Sequence, residues 1–405
     1  MDRRQVTIAA VAVAVASVVA VGAALALASG GGGHGAAPPP PGGGPTTTTT
    51  SVPAAGSTTT TGPATTTTTT IVGPAGGPVP AGFAPVSVTF VSPTEGWALG
   101  TAPCSNPVCT SVVRTTDGGT TWVGIPAPVA PLTSGTAAGG DGVGRIVFAD
   151  PADGWAYGPG LWSTHDGGAT WHRLARPAGE SAITSLVASG DAAYAVGSTA
   201  NGSGAPQLSR APVTTDSFSV VGSAPAGSEA RLAASGGHVW AIAASWFAVA
   251  QASGGGFVNR PDPCPAGTSI SAVGAFASSV VVACASDAGL GSVSKTVLVS
   301  GDGGSTFVTL PAAPRGGDLE AVATNGSTVV VAASSGASEL YARPGAGAGW
   351  TTPYSDPSGG APFSDLGFTT ASQAVVVEGL AGPGPAPFLL MSHDAGASWA
   401  RVRIR

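Results

Sequence analysis

The stretch RTTDGGTTW, from Arg114 to Trp122, recurs along the chain at a nearly constant spacing. It returns as STHDGGATW (Ser163–Trp171), VSGDGGSTF (Val299–Phe307) and MSHDAGASW (Met391–Trp399). Three weaker copies have shifted or lost the aspartate and keep the closing aromatic. Seven such aromatics therefore fall 39 to 50 residues apart: Trp122, Trp171, Phe218, Phe257, Phe307, Trp350 and Trp399. A repeat period in the forties predicts one propeller blade per repeat.

Each of the seven copies follows a strand-like run that ends in small residues, such as EGWALG at Glu95 and DGWAYG at Asp153. Short apolar runs separated by Gly, Pro, Asp and Ser, with no helical period after residue 28, indicate strands and turns. In blade 1 we expect strands at 86–91, 96–100, 111–115 and 121–125. The predicted fold is an all-β, seven-bladed propeller with four-stranded blades, preceded by one N-terminal transmembrane or signal helix and a disordered stalk.

The residue types of the recurring phrase are explained by the geometry of a tight turn. Asp-Gly between two strands is typical of a tight turn, because glycine adopts positive φ at low cost and the carboxylate accepts backbone N–H groups. These phrases resemble the Asp-box, or BNR, repeat of sialidases, sortilin-type receptors and photosystem II stability/assembly factor-like propellers. The upstream GW-A-x-G phrase looks most like the last group. The resemblance extends over 86–405 and implies a fold, not an activity.

The resemblance also implies that the box turn is a fold element on the blade periphery, away from any ligand. We therefore expect structural roles for the four box aspartates and their aromatics, and we expect no catalytic, metal or cofactor site in the boxes. A calcium loop would need oxygen ligands at alternate positions and a bidentate Glu. The residues concerned are Asp117, Asp166, Asp302 and Asp394 with Trp122, Trp171, Phe307 and Trp399.

The N-terminal segment, residues 1–28, is predicted to cross or enter a membrane. Asp2-Arg3-Arg4 precedes an uncharged apolar run from Val6 to Ala28, which is long enough to span a bilayer as a helix. Arginines before the run and none directly after it place the rest of the chain outside. Because Ala26-Leu27-Ala28 fits a signal-peptidase site, a cleaved signal peptide is the alternative. Both interpretations make the propeller extracytoplasmic, either anchored through residues 6–28 or secreted.

Residues 29–85 form a linker of different composition. It contains glycine runs, a four-proline block and threonine tracts, with almost no charge. Such a segment cannot bury enough apolar surface to offset its ordering entropy, so we expect a disordered stalk. The linker separates the N-terminal helix from the propeller domain at 86–405.

Four cysteines in an exported chain indicate two disulfides. Cys104 and Cys109 bracket a short loop of blade 1, and Cys264 and Cys284 lie at the same end of a blade 5 hairpin. A metal site is the alternative interpretation, but the Cys-x4-Cys spacing and the lack of a nearby histidine do not support it. The histidines are scattered, and His165 and His393 are interpreted as turn residues.

A sialidase-like hydrolase is the alternative to a binding protein. The resemblance would then require an arginine cluster, a Tyr nucleophile paired with a Glu, and an acid/base Asp. Tyr157 and Tyr194 fall inside predicted strands, which leaves Tyr341 and Tyr354 near loops. The carboxylates are too dispersed along the sequence to nominate a catalytic pair. Catalysis is therefore the less favoured reading.

The charge balance bears on the choice of partner. Residues 86–405 contain 20 acidic and 13 basic side chains, once Asp2, Arg3 and Arg4 are set aside. This excess of acidic groups argues against nucleic-acid binding, and it limits membrane contact to the N-terminal helix. The sequence therefore favours a membrane-tethered binding or scaffold propeller that recognises a protein or glycan of the cell envelope. No cofactor is expected.

Overall fold

The computed structural model describes residues 73–104, 109–133, 140–286, 293–345, 347–382 and 384–405. These residues form 28 strands and no helix, which confirms the predicted all-β class. None of the described segments contains a helix with the length and hydropathy needed to cross a bilayer. The predicted N-terminal helix and most of the stalk, residues 1–72, lie outside the described residues.

The strands form seven sheets, each made of four consecutive antiparallel strands. Blade 1 contains β1 (Ala84–Phe90), β2 (Gly96–Ala102), β3 (Cys109–Thr115) and β4 (Val123–Ile125). Blade 2 contains β5 (Arg145–Phe148), β6 (Gly154–Tyr157), β7 (Leu161–Thr164) and β8 (His172–Arg173). Blade 3 contains β9 (Glu180–Ser189), β10 (Ala192–Thr199), β11 (Gln207–Pro212) and β12 (Ser219–Ser223). Blade 4 contains β13 (Arg231–Ser235), β14 (His238–Ala243), β15 (Trp246–Gln251) and β16 (Gly254–Arg260).

The remaining three sheets follow the same order. Blade 5 contains β17 (Ser269–Phe276), β18 (Ser279–Ala285), β19 (Lys295–Ser300) and β20 (Val308–Leu310). Blade 6 contains β21 (Asp318–Thr324), β22 (Thr328–Ser334), β23 (Ser338–Pro344) and β24 (Thr351–Asp356). Blade 7 contains β25 (Phe363–Phe368), β26 (Ala374–Glu378), β27 (Phe388–Ser392) and β28 (Ala400–Arg401). The predicted seven four-stranded blades are confirmed.

The first strand of every blade faces a common channel. Each of these inner strands contacts the inner strand of the next blade, and β1 contacts β25, so the ring is closed. The up-and-down order places the turns between first and second strands, and between third and fourth strands, at one end of the channel. We call that end the box face. The opposite end, which holds the turns between second and third strands and the connections between blades, is the connection face.

The hydrophobic core is divided into seven layers, one between each pair of neighbouring blades. The GW phrase contributes two residues to this packing, Gly96 and Trp97. A Cβ at Gly96 would lie 2.6 Å from the Phe90 ring, so glycine is needed where that ring packs. Trp97 is fully buried, and its indole N–H donates to the Gly167 carbonyl in the box of blade 2 at 3.2 Å. The two recurring phrases therefore bind consecutive blades together.

The seam between blades 7 and 1 closes without a strand exchanged between them. Val402 and Ile404, after β28, pack in the same apolar layer as Val79 and Phe83, before β1. Gly77 also pairs with Gly124 at the outer edge of blade 1, through two backbone hydrogen bonds of 2.8 and 2.9 Å. Residues 73–83, part of the linker in the sequence analysis, thus contact the propeller, and β1 begins at Ala84.

Candidate binding site at the mouth of the central channel

The four box aspartates are saturated by hydrogen bonds inside their own turns. Asp117 accepts the Thr121 backbone N–H at 2.8 Å and the Thr121 hydroxyl at 2.6 Å. Hydrogen bonds of this kind lower the pKa of each box carboxyl, and in Asp166 they outweigh the opposing effect of burial. The other boxes repeat the pattern at Asp166, Asp302 and Asp394. Within the described residues, no group of three potential metal ligands converges.

The box aromatics lie against neighbouring rings and turns. Trp122 is 4% exposed, makes an edge contact with Phe90, and donates its indole N–H to the Gly119 carbonyl at 3.1 Å. Trp171 and Phe307 make edge contacts with Phe148 and Phe247 but are only half-buried. The Trp399 indole N–H donates to Gly396 in its own box.

His165 lies in the box turn after β7, as interpreted from sequence, and it also contacts carboxylates of two blades. Its Nδ1 lies 2.5 Å from Asp153 of blade 2, and its Nε2 lies 3.3 Å from Asp216 of blade 3. Burial alone would lower the pKa of His165, but hydrogen bonds and charge attraction from the two carboxylates raise it. His165 therefore links blades 2 and 3 at the box face through its contacts with the two carboxylates. The degenerate box of blade 3 supplies the second carboxylate, a partner that sequence spacing could not identify.

Both cysteine pairs lie at disulfide distance, in the pairing expected from sequence. Cys104 is joined to Cys109, and Cys264 to Cys284. The first disulfide closes the turn between β2 and β3 at the connection face. The second ties the connection between blades 4 and 5 to the end of β18. Both disulfides therefore constrain the same face of the ring.

The central channel is a cavity of about 610 Å³ lined by the inner strands of all seven blades. Its lining combines apolar side chains with threonine and serine hydroxyl groups. Two arginines and two carboxylates from four different blades stand out: Arg145, Arg231, Glu320 and Asp365. Arg231 donates to the Ser271 carbonyl at 3.2 Å, and Glu320 accepts the Ser334 hydroxyl at 2.7 Å. The channel thus contains balanced charges contributed by separate blades.

Arg145 and Asp365 form the ion pair of this site. The guanidinium of Arg145 on blade 2 lies 3.0 Å from the Asp365 carboxylate on blade 7. The second carboxylate oxygen accepts the Val88 N–H of blade 1 at 2.9 Å. Asp365 reaches both partners because it sits in a bulge of β25 with φ of 54°, a left-handed conformation uncommon outside glycine. One carboxylate therefore joins three blades across the closing seam.

Arg145 retains exposed surface at the connection face, since its side chain is 40% accessible. There it lines a smaller cavity of about 170 Å³, which we call the mouth pocket. Its apolar wall includes Leu132, Ile183 and Leu380, and Leu380 is 54% exposed. Tyr157 lies beside Arg145, and burial together with the charge of Asp365 raises the pKa of its hydroxyl to about 12. The mouth pocket therefore offers a cation, a neutral phenol and exposed aliphatic surface.

The sequence suggested that Tyr341 and Tyr354 lie near loops. In the structure they lie inside strands, Tyr341 in β23 and Tyr354 in β24. Each donates its hydroxyl to a glutamate, Tyr341 to Glu339 and Tyr354 to Glu378. The Tyr354 hydrogen bond is 2.5 Å long, and Glu378 is buried on the second strand of blade 7. Burial and the neighbouring carboxylate raise the pKa of Tyr354, so its phenol stays protonated near neutral pH. Tyr354 and Glu378 therefore form a hydrogen bond between blades 6 and 7.

Two buried carboxyl groups, Glu180 and Glu378, were not identified as candidate site residues from the sequence. Glu180 begins β9, accepts the Gln207 N–H at 2.6 Å, and has a pKa raised by burial. Burial also raises the pKa of Glu378. The sequence analysis also did not identify the charged residues of the mouth, Arg145 and Asp365. Their contact joins positions 220 residues apart, and no local pattern encodes it.

Comparisons with known proteins bear on the fold. No family model matches the chain, and no curated protein matches it. A solved structure of YCF48 bound to D1 peptide superposes with a TM-score of 0.53 at 16% identity, over 79% of this chain and 95% of that one. YCF48 from Cyanidioschyzon merolae gives 0.51 at 17% identity, over 79% and 98%. Prolyl oligopeptidase B from Galerina marginata gives 0.50 at 11% identity, over 76% of this chain and 49% of that one. At these identities the likeness establishes the propeller fold alone.

Proposed function

We propose that this protein is a binding or scaffold propeller whose mouth pocket receives a peptide segment of a protein partner. The observation that carries the proposal is the exposed Arg145 guanidinium, oriented by Asp365 and set beside the aliphatic side chains of Leu132 and Leu380. A rigid cation next to exposed apolar surface suits a segment with an aliphatic side chain beside an acidic or carbonyl group. The solved structure of YCF48 bound to D1 peptide supports this choice by analogy, since it is a propeller of similar fold that holds a peptide.

A peptide is favoured over a glycan by the aromatic residues of the channel and its mouth. Sugar rings are commonly held against an exposed aromatic face, whereas Tyr157, Phe363 and Phe368 are buried or half-buried here. The polar groups of the described wall are also mostly engaged with other protein groups, as Glu320 and Asp365 illustrate. A glycan is the alternative partner for this pocket.

The proposed location is the cell envelope, with the propeller outside and residues 6–28 as the anchor. Two disulfides suit an oxidising compartment, and the apolar run after Arg3-Arg4 supplies the export signal. The segment 29–72 would then act as the spacer between membrane and propeller. Membrane fractionation of cells expressing the full chain tests the anchor, because a cleaved signal peptide would release the propeller into the soluble fraction.

Membership in the Asp-box group, and a structural role for the boxes, form part of the same proposal. The box carboxylates are occupied by Thr or Ser groups of their own turns, on the face opposite the mouth pocket. Trp122 and Trp399 cap their boxes through indole hydrogen bonds. These contacts suit turns that hold the blades together and leave recognition to the connection face.

A library of short labelled peptides, each with an aliphatic residue beside a varied one, tests the proposal by fluorescence anisotropy. Among peptides that bind, Arg145→Gln and Leu380→Ser should each weaken affinity by about tenfold or more, the effect of losing a charge-assisted hydrogen bond or a central apolar contact. Arg260→Gln, on an exposed outer strand, is the matched control and should change nothing.

Two results would contradict the proposal. Peptide binding unchanged in both mouth variants would reject the mouth pocket as the site. Hydrolysis of sialosides or aryl glycosides by the wild-type protein, lost on Tyr354→Phe, would replace the binding role with the hydrolase alternative.

A further inference from the structure

The outer strand of blade 7 and the residues that follow it carry a row of arginines. Three of the 13 basic side chains in residues 86–405 fall within residues 401–405, at Arg401, Arg403 and Arg405. All three are exposed, whereas Val402 and Ile404 between them are half-buried in the layer between blades 7 and 1. This alternation is typical of a strand with one face on a core, and it spaces the arginine Cα atoms about 6.5–7 Å apart. The three guanidinium groups therefore lie on the outward face.

The charges of this row are not neutralised by ion pairs. Within the described residues, none of the three arginines forms an ion pair with a carboxylate. Arg401 lies over the Phe388 ring, 4.0 Å from its centroid, and it interacts with Asp356 only at longer range. The box carboxylates of the adjoining blades, Asp117 and Asp394, accept hydrogen bonds from their own turns. The row thus keeps its positive charge available in a domain whose overall charge is negative.

Two surface cavities flank the row and share its side chains. One, of about 570 Å³, is lined by Phe83, Pro85 and Phe388 together with residues 401–405. The other, of about 480 Å³, lies against the boxes of blades 7 and 1, where His393 joins two of the arginines in its wall. The surface beside the row therefore has room for a further segment of chain, with apolar walls in the first cavity.

The backbone of this segment is also free on its outer side. Among the described strands, β28 is the last of the blade 7 sheet and pairs with β27 alone. The Val402 N–H donates to the Leu389 carbonyl at 2.8 Å, and in an antiparallel ladder the neighbouring residues point the other way. Arg401 and Arg403 therefore direct their N–H and C=O groups outward, where no backbone partner lies within the described part of the chain.

Blade 1 shows how such an edge is covered in this protein. Gly77, in the segment before β1, pairs with Gly124 of the outer strand β4 through two backbone hydrogen bonds. No segment among the described residues covers β28 in this way. The linker of this chain cannot supply an acidic cover, because the sequence has no Asp or Glu between Asp2 and Glu95. Charge complementarity therefore points to an acidic segment of another protein.

We propose that the row of Arg401, Arg403 and Arg405 is a second interaction surface, which pairs with an extended acidic segment of a partner protein. The segment would add to the outer edge of β28 as a further strand. Residues opposite each other in neighbouring strands face the same side of a sheet, so carboxylates at every second position would face the arginines. The residues between them would lie on the side of Val402 and Ile404, which predicts an alternating acidic and apolar pattern. This surface lies at the outer rim of the ring, so it goes beyond the function proposed for the mouth pocket.

Fluorescence anisotropy with the full-length protein in nanodiscs of zwitterionic lipid tests this surface. The probe is a labelled peptide in which three glutamates alternate with valines, and its control has the same residues with the glutamates consecutive. The alternating peptide should bind at least about threefold more tightly, because only it places all three carboxylates on one face. Replacing its glutamates with glutamines should weaken binding about tenfold, and binding should also weaken as the salt concentration rises.

Variants of the protein locate the binding. Arg403→Glu should weaken binding of the alternating peptide about tenfold, since it replaces an attraction with a repulsion. Arg403→Lys keeps the charge and should bind within about twofold of wild type. Arg260→Glu, at the exposed end of outer strand β16, is the matched control and should change nothing. Arg145→Gln, which removes the mouth cation, should also leave this binding unchanged, so the two proposed sites can fail separately.

Circular dichroism of each variant confirms that the propeller remains folded before titration. Equal affinities for the alternating and consecutive peptides would refute strand pairing, and binding that survives Arg403→Glu would place the peptide elsewhere. Tighter binding of polyphosphate than of the alternating peptide would contradict a protein partner. Self-association of the wild-type protein that Arg403→Glu abolishes would assign the row to a second copy of this chain instead. An absence of alternating-peptide binding to the wild-type protein would overturn the proposal.

Discussion

Replacing His165 with Gln should destabilise the propeller at mildly acid pH and much less at alkaline pH. His165 lies 2.5 Å from Asp153, whose carboxyl side chain is 10% exposed, and 3.3 Å from Asp216, which is 32% exposed. A charge-assisted bond to a buried carboxylate contributes about 1.5–3 kcal/mol. A largely solvated pair adds about 0.2–1 kcal/mol. The expected loss at about pH 5.5 is therefore roughly 2–3 kcal/mol.

The direction of the pH effect follows from the raised pKa of His165. A histidine with a higher pKa in the folded protein contributes its full stability below its unfolded pKa of 6.5, and that contribution is lost as pH rises through the folded pKa. At about pH 8.5 a hydrogen bond from the neutral imidazole to a carboxylate should remain and contribute about 1 kcal/mol.

Urea unfolding of the wild-type protein and of His165→Gln at both pH values measures the difference directly. His393→Gln, at the same position of the blade 7 box, is the matched control. The difference in unfolding free energy between wild type and His165→Gln should shrink as pH rises. A difference that stays constant or grows with pH would refute a charged contact between blades 2 and 3.

Three further outcomes are expected from unfolding measurements. Ala395→Gly should stabilise the protein by about 0.5–1 kcal/mol in urea melts, because Ala395 has φ of 60° where the other intact boxes carry glycine; a loss of stability would contradict this. Trp122→Ala should cost about 3–5 kcal/mol, and half-buried Trp171→Ala clearly less; equal costs would mean that burial does not set their roles. Reducing the Cys264–Cys284 disulfide, which spans 20 residues, should lower stability by about 3 kcal/mol; an unchanged thermal midpoint would refute this.

The blades could be predicted from sequence because each repeats the same local solutions. The Gly96 that admits the Phe90 ring and the Asp117 that closes its turn act within one repeat, so spacing alone identifies them. The box also fixes strand phase, which explains why the predicted strands of blade 1 agree with β1 to β4 within a few residues.

The candidate site could not be predicted because its parts meet only after the ring closes. Arg145 and Asp365 belong to blades 2 and 7, and their contact requires a bulge that turns Asp365 into a left-handed conformation. The Tyr354 to Glu378 bond depends in the same way on how two neighbouring blades pack. A repeat pattern states which residues are equivalent between blades, whereas function depends on the residues that differ.

The most direct test of the mouth as the binding surface is site-specific photo-cross-linking in intact cells. A photoreactive residue at Leu380, 54% exposed beside the mouth pocket, is compared with one at Val308, 65% exposed on the outer strand of blade 5. The proposal predicts a discrete protein adduct from the Leu380 position that Arg145→Gln suppresses, and none from Val308. Adducts from Val308 alone, or from both positions regardless of Arg145, would contradict it.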